Sequence, residues 1–245
     1  MVLSMIPHII ITRVNLHMRL DPHKYRITRL WEVDGWNRDR IDLLNQWARR
    51  SLAKQTNQNF HYITLWQAGH RDPDGALPNE IQIEIENTGT PDDDPLDYKA
   101  LWNGTPGKKT LNFSGQIVRK VSERFAPPWV ITTLDCDDAL HKDYVQVISE
   151  QEKSEPIIFD MHSRYQYNVL TGAKGVKSTR RPSPLMSRYE TEPEYLPVIY
   201  NHSLIPEPFK IRKLTKLKGL QTINDTNMFC KGTGKHAEYD LNDYI

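Results

Sequence analysis

The chain has only two cysteines, Cys136 and Cys230, among its 245 residues. A disulfide framework is not expected, and a reducing compartment is the natural setting. There is no excess of either charge either, since 32 basic residues face 31 acidic ones for a net charge of +1. That balance argues against nucleic acid as a partner gripped by global positive potential. No apolar run reaches the roughly 18–20 residues that a bilayer span needs. The apolar start runs through Ile9-Ile10-Ile11 without a basic flank or a small-residue cleavage site, so it reads as a first core strand rather than a leader. A cytoplasmic location is therefore expected, and the three Asn-x-Ser/Thr sequons at Asn103, Asn112 and Asn201 are read as chance. No internal repeat is visible.

What is present is enough apolar sequence, 38% of residues, for one sizeable core. Apolar, β-branched runs predict strands over 7–12, 60–66, 81–85, 129–134, 157–159 and 165–170. Ile41, Leu44, Trp47, Ala48 and Leu52 share one face of a predicted helix over 40–52. A second helix is expected over about 115–125, with Ser114 as its N-cap and Ile117, Val118, Val121 and Phe125 as its stripe, stopped by Pro127-Pro128. A third, after residue 140, would bury Tyr144, Val145 and Ile148. Strands alternating with helices over the first 150 residues predict an α/β fold with a Rossmann-type, mostly parallel sheet flanked by helices. Beyond that point, 156–170 reads as a small antiparallel hairpin and 171–197 as loops over the sheet. Residues 1–205 form the expected domain, and 206–245 a basic, then polar, C-terminal tail.

The most informative stretch is Trp129-Val130-Ile131-Thr132-Thr133-Leu134 running into Asp135-Cys136-Asp137-Asp138. A buried strand here delivers three carboxylates to the sheet's carboxyl edge, where open α/β sheets bind ligands. Acids this close repel one another, and a divalent ion such as Mg²⁺ or Mn²⁺ is the usual compensation. Three chemistries use such a pattern. In a nucleotide-sugar glycosyltransferase the acids hold an ion on the donor diphosphate. In a phosphatase Asp135 would be a nucleophile. A calcium loop fails, because its sixth and twelfth positions would be Leu140 and Gln146 rather than Gly and Glu. A non-catalytic nucleotide- or glycan-binding protein with an incomplete site is the further alternative, and a solvated turn or a helix N-terminus also attracts acids. Asp92-Asp93-Asp94, framed by prolines and fed by no strand, reads as that kind of loop.

Several segments carry a resemblance. They are Ile10-Ile11-Thr12-Arg13-Val14-Asn15, Gln55-Thr56-Asn57-Gln58-Asn59-Phe60, Thr132 through Leu140, Ser183-Pro184-Leu185, and Val198-Ile199-Tyr200-Asn201-His202. Over about residues 8–205 the chain resembles glycosyltransferases of the GT-A fold, more narrowly the rhamnosyltransferase family of bacteria and large viruses. The resemblance implies a metal-dependent transfer of a sugar such as rhamnose from a nucleoside-diphosphate donor, UDP- or dTDP-linked, to a glycan or lipid-linked glycan. By that resemblance Asp137 or Asp138 would ligate Mn²⁺ or Mg²⁺, Asp135 would bond the ribose or support the metal, and His202 would complete the ion's site.

Thr12, Arg13 and Asn15 end the first strand, where base and ribose would lie in this fold. Lys109 and Ser114 are expected to precede a helix N-terminus that favours phosphate, and Arg180 and Arg181 could close over it from their loop. An inverting transfer needs a carboxylate base. Asp160, Glu190, Glu192 and Glu194 are candidates, and Asp160 is preferred because it ends a predicted strand. Among Trp31, Trp36, Trp66, Trp102 and Trp129, the loop residue Trp102 is the one expected to stack on a sugar. In the tail, leucines recur every three residues among lysines from Lys210 to Lys218, a spacing that suits either a solvated helix or peripheral membrane contact through 210–220.

Overall fold

The structure is a computed structural model, and it describes residues 6–16, 33–72, 74–85, 108–178, 185–191, 210–215, 217–223 and 235–245, apart from the side chains of 108–114. Three apolar strands, β1 (His8–Arg13), β2 (His61–Gln67) and β3 (Glu80–Ile85), lie side by side and parallel. The chain then crosses back to lay β4 (Trp129–Thr133) on the free side of β1, again parallel. Alternation along these strands sends Ile9, Ile11, Ile63, Leu65 and Ile131 to one face and Ile10, Tyr62, Trp66 and Val130 to the other. Both faces are therefore apolar and both must be covered, which is why the strands read as continuous hydrophobic runs.

Helices supply the cover. The helix α1 (Trp36–Leu43) continues through a π-helical Leu44–Arg49 into a last turn, Arg50–Ala53. Its Leu44, Ala48 and Leu52 pack on one face with Tyr144, Val145 and Ile148 of a later helix. The opposite face takes Ile117 and Val121 of α2 (Lys108–Ser122). After β5 (Asp138–Ala139), the helix α3 (Tyr144–Ser149) buries the three residues expected of it. The helix α2 begins at Lys108 rather than near 115, so Ser114 lies inside it and is not its N-cap, and Lys109 does not precede it. The helical period continues back to Leu111, seven residues before Val118, and no glycine or proline after Gly107 interrupts it before Gly115.

The remaining strands are β6 (Ile157–Asp160), β7 (Ser163–Asn168), β8 (Lys174–Ser178), β9 (Met186–Glu190), β10 (Lys210–Lys213), β11 (Gly219–Ile223) and β12 (Lys235–His236). The main sheet runs β10-β6-β9-β4-β1-β2-β3, with β9 antiparallel to both neighbours. A second sheet runs β12-β8-β7-β11-β5. The segment 156–170 is not a hairpin, because β6 belongs to the first sheet and β7 to the second. A tight hairpin turn needs residues at positive φ, and among the described residues only glycines adopt it. The hairpin is instead β7–β8, where Gly172 sits at φ 71 and donates to Asn168 O at 2.8 Å.

The stretch 171–197, expected to be loop, contains β8 and the fully buried β9. The tail residues are woven into both sheets as well. Strand β10 pairs with β6, and β11 lies between β7 and β5. Leu214, Leu217 and Leu220 are buried, so the leucines expected on a membrane or on a solvated helix point into the protein. Among the described residues no helix is long and apolar enough to cross a membrane.

Candidate functional site

An open α/β sheet binds ligands outside the carboxyl ends of its strands, where the strand order reverses. From β1 the chain builds towards β3 on one side and returns to β4 on the other, so the reversal lies between β1 and β4. Leu134 N donates to Ile11 O and Val14 N to Leu65 O, each at 3.0 Å, which carries the pairing one residue past the strand ends. The chain then delivers 135–138 and Asn15 to one mouth.

The acidic loop is a tight turn, with Asp138 N donating to Asp135 O at 3.0 Å. Asp135 has a half-exposed side chain and accepts from Arg13 Nη2 at 3.3 Å. Asp137 is buried, and its carbonyl accepts from Thr222 Oγ1. Asp138 is buried in β5, with Oδ1 accepting from Thr222 N at 3.1 Å. Thr222 of β11 thus fixes both the backbone and a carboxylate of the motif. Burial, then the nearby Asp137 and Asp135, hold the Asp138 carboxyl well above its ordinary pKa, against the opposing pull of Arg164 and of the Thr222 bond. Burial likewise raises the Cys136 thiol and leaves it inert.

The repulsion is met from an unexpected direction. Arg13 pairs with Asp135, and Arg40 of α1 stands nearby, with Nε donating to Val14 O at 3.2 Å. Burial opposes the Arg40 charge, but the surrounding Cys136, Asp137, Asp135 and Asp138 outweigh it and raise its pKa. Arg164 of β7 adds a third positive field, acting on Asp138. Arg13 therefore contacts the motif directly, while Arg40 and Arg164 act on it through their charges. Sequence reading missed Arg40 and Arg164, because Arg40 counts as a charge on a helix's polar face and Arg164 opens a strand with no signal of its partner.

Among the described residues no group of three His, Cys, Asp or Glu side chains gathers as a metal cage. His202 lies outside the described residues, as do Glu192, Glu194, Arg180, Arg181, Trp31, Trp102 and the 92–94 cluster. Trp66 and Trp129 are fully buried core residues.

Around the mouth, Thr12 is buried, and its hydroxyl has no hydrogen-bond partner among the described residues. Asn15 braces the mouth. Its Oδ1 accepts from Gln67 N at 3.0 Å and its Nδ2 donates to His70 O at 3.3 Å, tying the end of β1 to the loop after β2. The stretch 55–60 is also a brace. Gln55 accepts from Val145 N at 3.0 Å and donates to His141 O at 2.9 Å, while Thr56 N donates to Lys142 O at 2.8 Å. It clamps the chain that follows the acidic loop to the end of α1.

The sheet register separates the candidate bases. Asp160 ends β6, opposite Met186 and at the same edge as the acidic loop. Glu190 pairs with Trp129 at the amino end of β4, so it lies at the wrong edge, roughly 13 Å away along the strand at about 3.3 Å per residue. It is also buried in an ion pair with Arg188. Glu190 is therefore removed from the set of bases, and the reason is the antiparallel direction of β9. No protein-family model matches this chain, and no curated protein sequence matches it.

Proposed function

We propose that this protein is a nucleotide-sugar glycosyltransferase of the GT-A type, transferring a hexose such as rhamnose from a UDP- or dTDP-linked donor to a glycan or lipid-linked glycan acceptor. The observation that carries the reading is the arrival of the acidic loop and Arg13 at one mouth, at the reversal point between β1 and β4. The sheet order supports it too, with parallel strands on one side and a single antiparallel strand before β6 on the other.

The residues present suit a divalent ion that arrives with the diphosphate. Magnesium-like ions commonly take one or two carboxylates plus phosphate oxygens and keep several waters, without an all-protein cage. Asp135 and Asp137 would hold Mn²⁺ or Mg²⁺ here, and His202 is the further candidate. When bound, the ion supplies neutralisation of charge on the leaving diphosphate. Asn15 and its bonded loop form the wall beside β1 where the nucleoside lies, and the ion pair with Arg13 holds Asp135 at the mouth. Asp160 accepts the proton of the acceptor hydroxyl as its oxygen bonds to the anomeric carbon and the bond to the diphosphate breaks.

The test is hydrolysis of UDP- and dTDP-sugars with Mn²⁺. Slow release of nucleoside diphosphate, abolished by Asp137→Ala and by chelator, is expected. Cleavage of generic phosphomonoesters with Asp135 trapped as an acyl phosphate would overturn the reading.

A further inference from the structure

We propose that Arg164 is a phosphate-receiving residue of this site, its guanidinium bonding an oxygen of a diphosphate that lies against the acidic loop. The transferase reading supplies the ligand's class, and the need for an anion comes from Arg164 itself. Its side chain sits on β7 and is only 7% exposed, yet Nε is buried with no hydrogen-bond partner. It acts on Asp138 through its field, without a direct ion pair among the described residues.

The sheet register shows which way the side chain faces. Asp138 of β5 is level with Gln221 of β11, and Gln221 with Gln166 of β7. Gln166 Nε2 donates to Gln221 Oε1 at 2.9 Å, so all three share one face. Arg164, two residues before Gln166, shares it as well. Opposite Arg164 stands Gly219, where a Cβ would run into Leu185 and crowd the Met161 methyl at 3.1 Å. The two sheets approach each other there, and Arg164 is enclosed on the acidic loop's side of the second sheet.

Buried charges are normally paired, and an unmet buried donor calls for a bound water or ion. A guanidinium's planar fork matches phosphate oxygens. Arg13 reaches the same acidic loop, pairing with Asp135 at 3.3 Å, so a phosphate lying there would meet a second guanidinium. Arg164 read as purely structural would be expected to bond Asp138 directly, and it does not.

The probe is inorganic pyrophosphate, titrated calorimetrically into the full chain in EDTA and again with Mn²⁺. Arg164→Gln is expected to weaken binding about ten- to hundredfold, the scale of a hydrogen bond to a charged group. A melt of each protein without pyrophosphate separates loss of fold from loss of binding. The rise in melting temperature that pyrophosphate gives wild type should disappear in the variant. Wild-type affinity in Arg164→Gln overturns the proposal.

A wild-type crystal grown with pyrophosphate tests it independently of how the variant folds. A phosphoryl oxygen within hydrogen-bonding reach of Arg164 Nε is expected, and its absence overturns the proposal. Arg164-dependent pyrophosphate binding in a protein that turns over no nucleotide sugar would sink the transferase reading alone. Nucleotide-sugar turnover with unchanged pyrophosphate binding in Arg164→Gln would sink this inference alone.

Discussion

Replacing Arg49 by Met should be among the most damaging single changes in the chain, although Arg49 belongs to no candidate catalytic set. Its guanidinium is 4% exposed and sits at the end of the π-helical segment of α1. Nε and Nη2 donate to the two oxygens of Glu80 at 2.9 and 2.8 Å. Nη1 donates to Asp72 at 2.9 Å and to Asn45 at 2.7 Å. Glu80 has a fully buried side chain and also accepts from Thr64 Oγ1 and Leu77 N. Arg49→Met strands that carboxylate in the interior, a loss of about 3–5 kcal/mol. At about 2–4 °C per kcal/mol for a domain of this size, the melting temperature should fall by roughly 6–20 °C.

Adding Glu80→Gln removes the stranded charge at the cost of about one hydrogen bond to Leu77 N, so the double variant should return to within about 1–2 kcal/mol of wild type. Thermal melts of the four proteins form the cycle. A single variant that loses less than about 1 kcal/mol, or a double variant no better than Arg49→Met, refutes the reasoning. The network also reaches the mouth, because Asp72 follows the loop whose His70 carbonyl holds Asn15. Arg49→Met should therefore raise the KM for a donor more than it lowers kcat.

Two further outcomes follow from buried polar groups. Burial, then the charge of Lys153, lowers the His8 pKa to about 3, so the native protein holds this imidazole neutral against Thr132 Oγ1 at 2.7 Å. Between the ordinary value near 6.5 and that level only the unfolded chain takes the proton, so stability is lost as pH falls, by up to about 1.4 kcal/mol per pH unit. Denaturant titrations should show wild type losing ground to His8→Gln from pH 6.5 downwards, and parallel curves would contradict this. Asp160→Asn should cut sugar transfer by about 10²–10⁴-fold with the fold intact. Glu190→Gln should instead lower the melting temperature and leave the transfer rate per folded molecule near wild type, and kcat measured beside melts separates the two.

The first four strands and the three helices were legible because each carries its own periodic signal. Strand β9 was not. Met186-Ser187-Arg188-Tyr189-Glu190 looks solvated, but Arg188 and Glu190 lie two apart on one face and neutralise each other inside the sheet. Strand β10 was misread for the opposite reason. Lys210-Ile211-Arg212-Lys213 is an edge strand, and edges carry lysines to discourage further pairing. A short basic strand followed by spaced leucines imitates an amphipathic helix until its hydrogen-bond partner, β6, is known.

The site divides along the same line. Asp135, Asp137 and Asp138 were visible because one strand delivers all three, and local sequence records what a single element carries. Their neutralisation was not visible, because the guanidiniums come from β1, α1 and β7 and meet only after two sheets have assembled. From the acids alone a counter-cation follows, but not its chemical identity. Arg13, Arg40 and Arg164 supply part of that positive charge from within the protein itself. The acidic loop joins the two sheets, leading from β4 of one to β5 of the other. Its buried end, Asp138, is tied to Thr222, and its open end, Asp135, faces the mouth beside Arg13. That division follows from burial, because Asp135 alone of the three acids keeps a half-exposed side chain while Asp137 and Asp138 are buried.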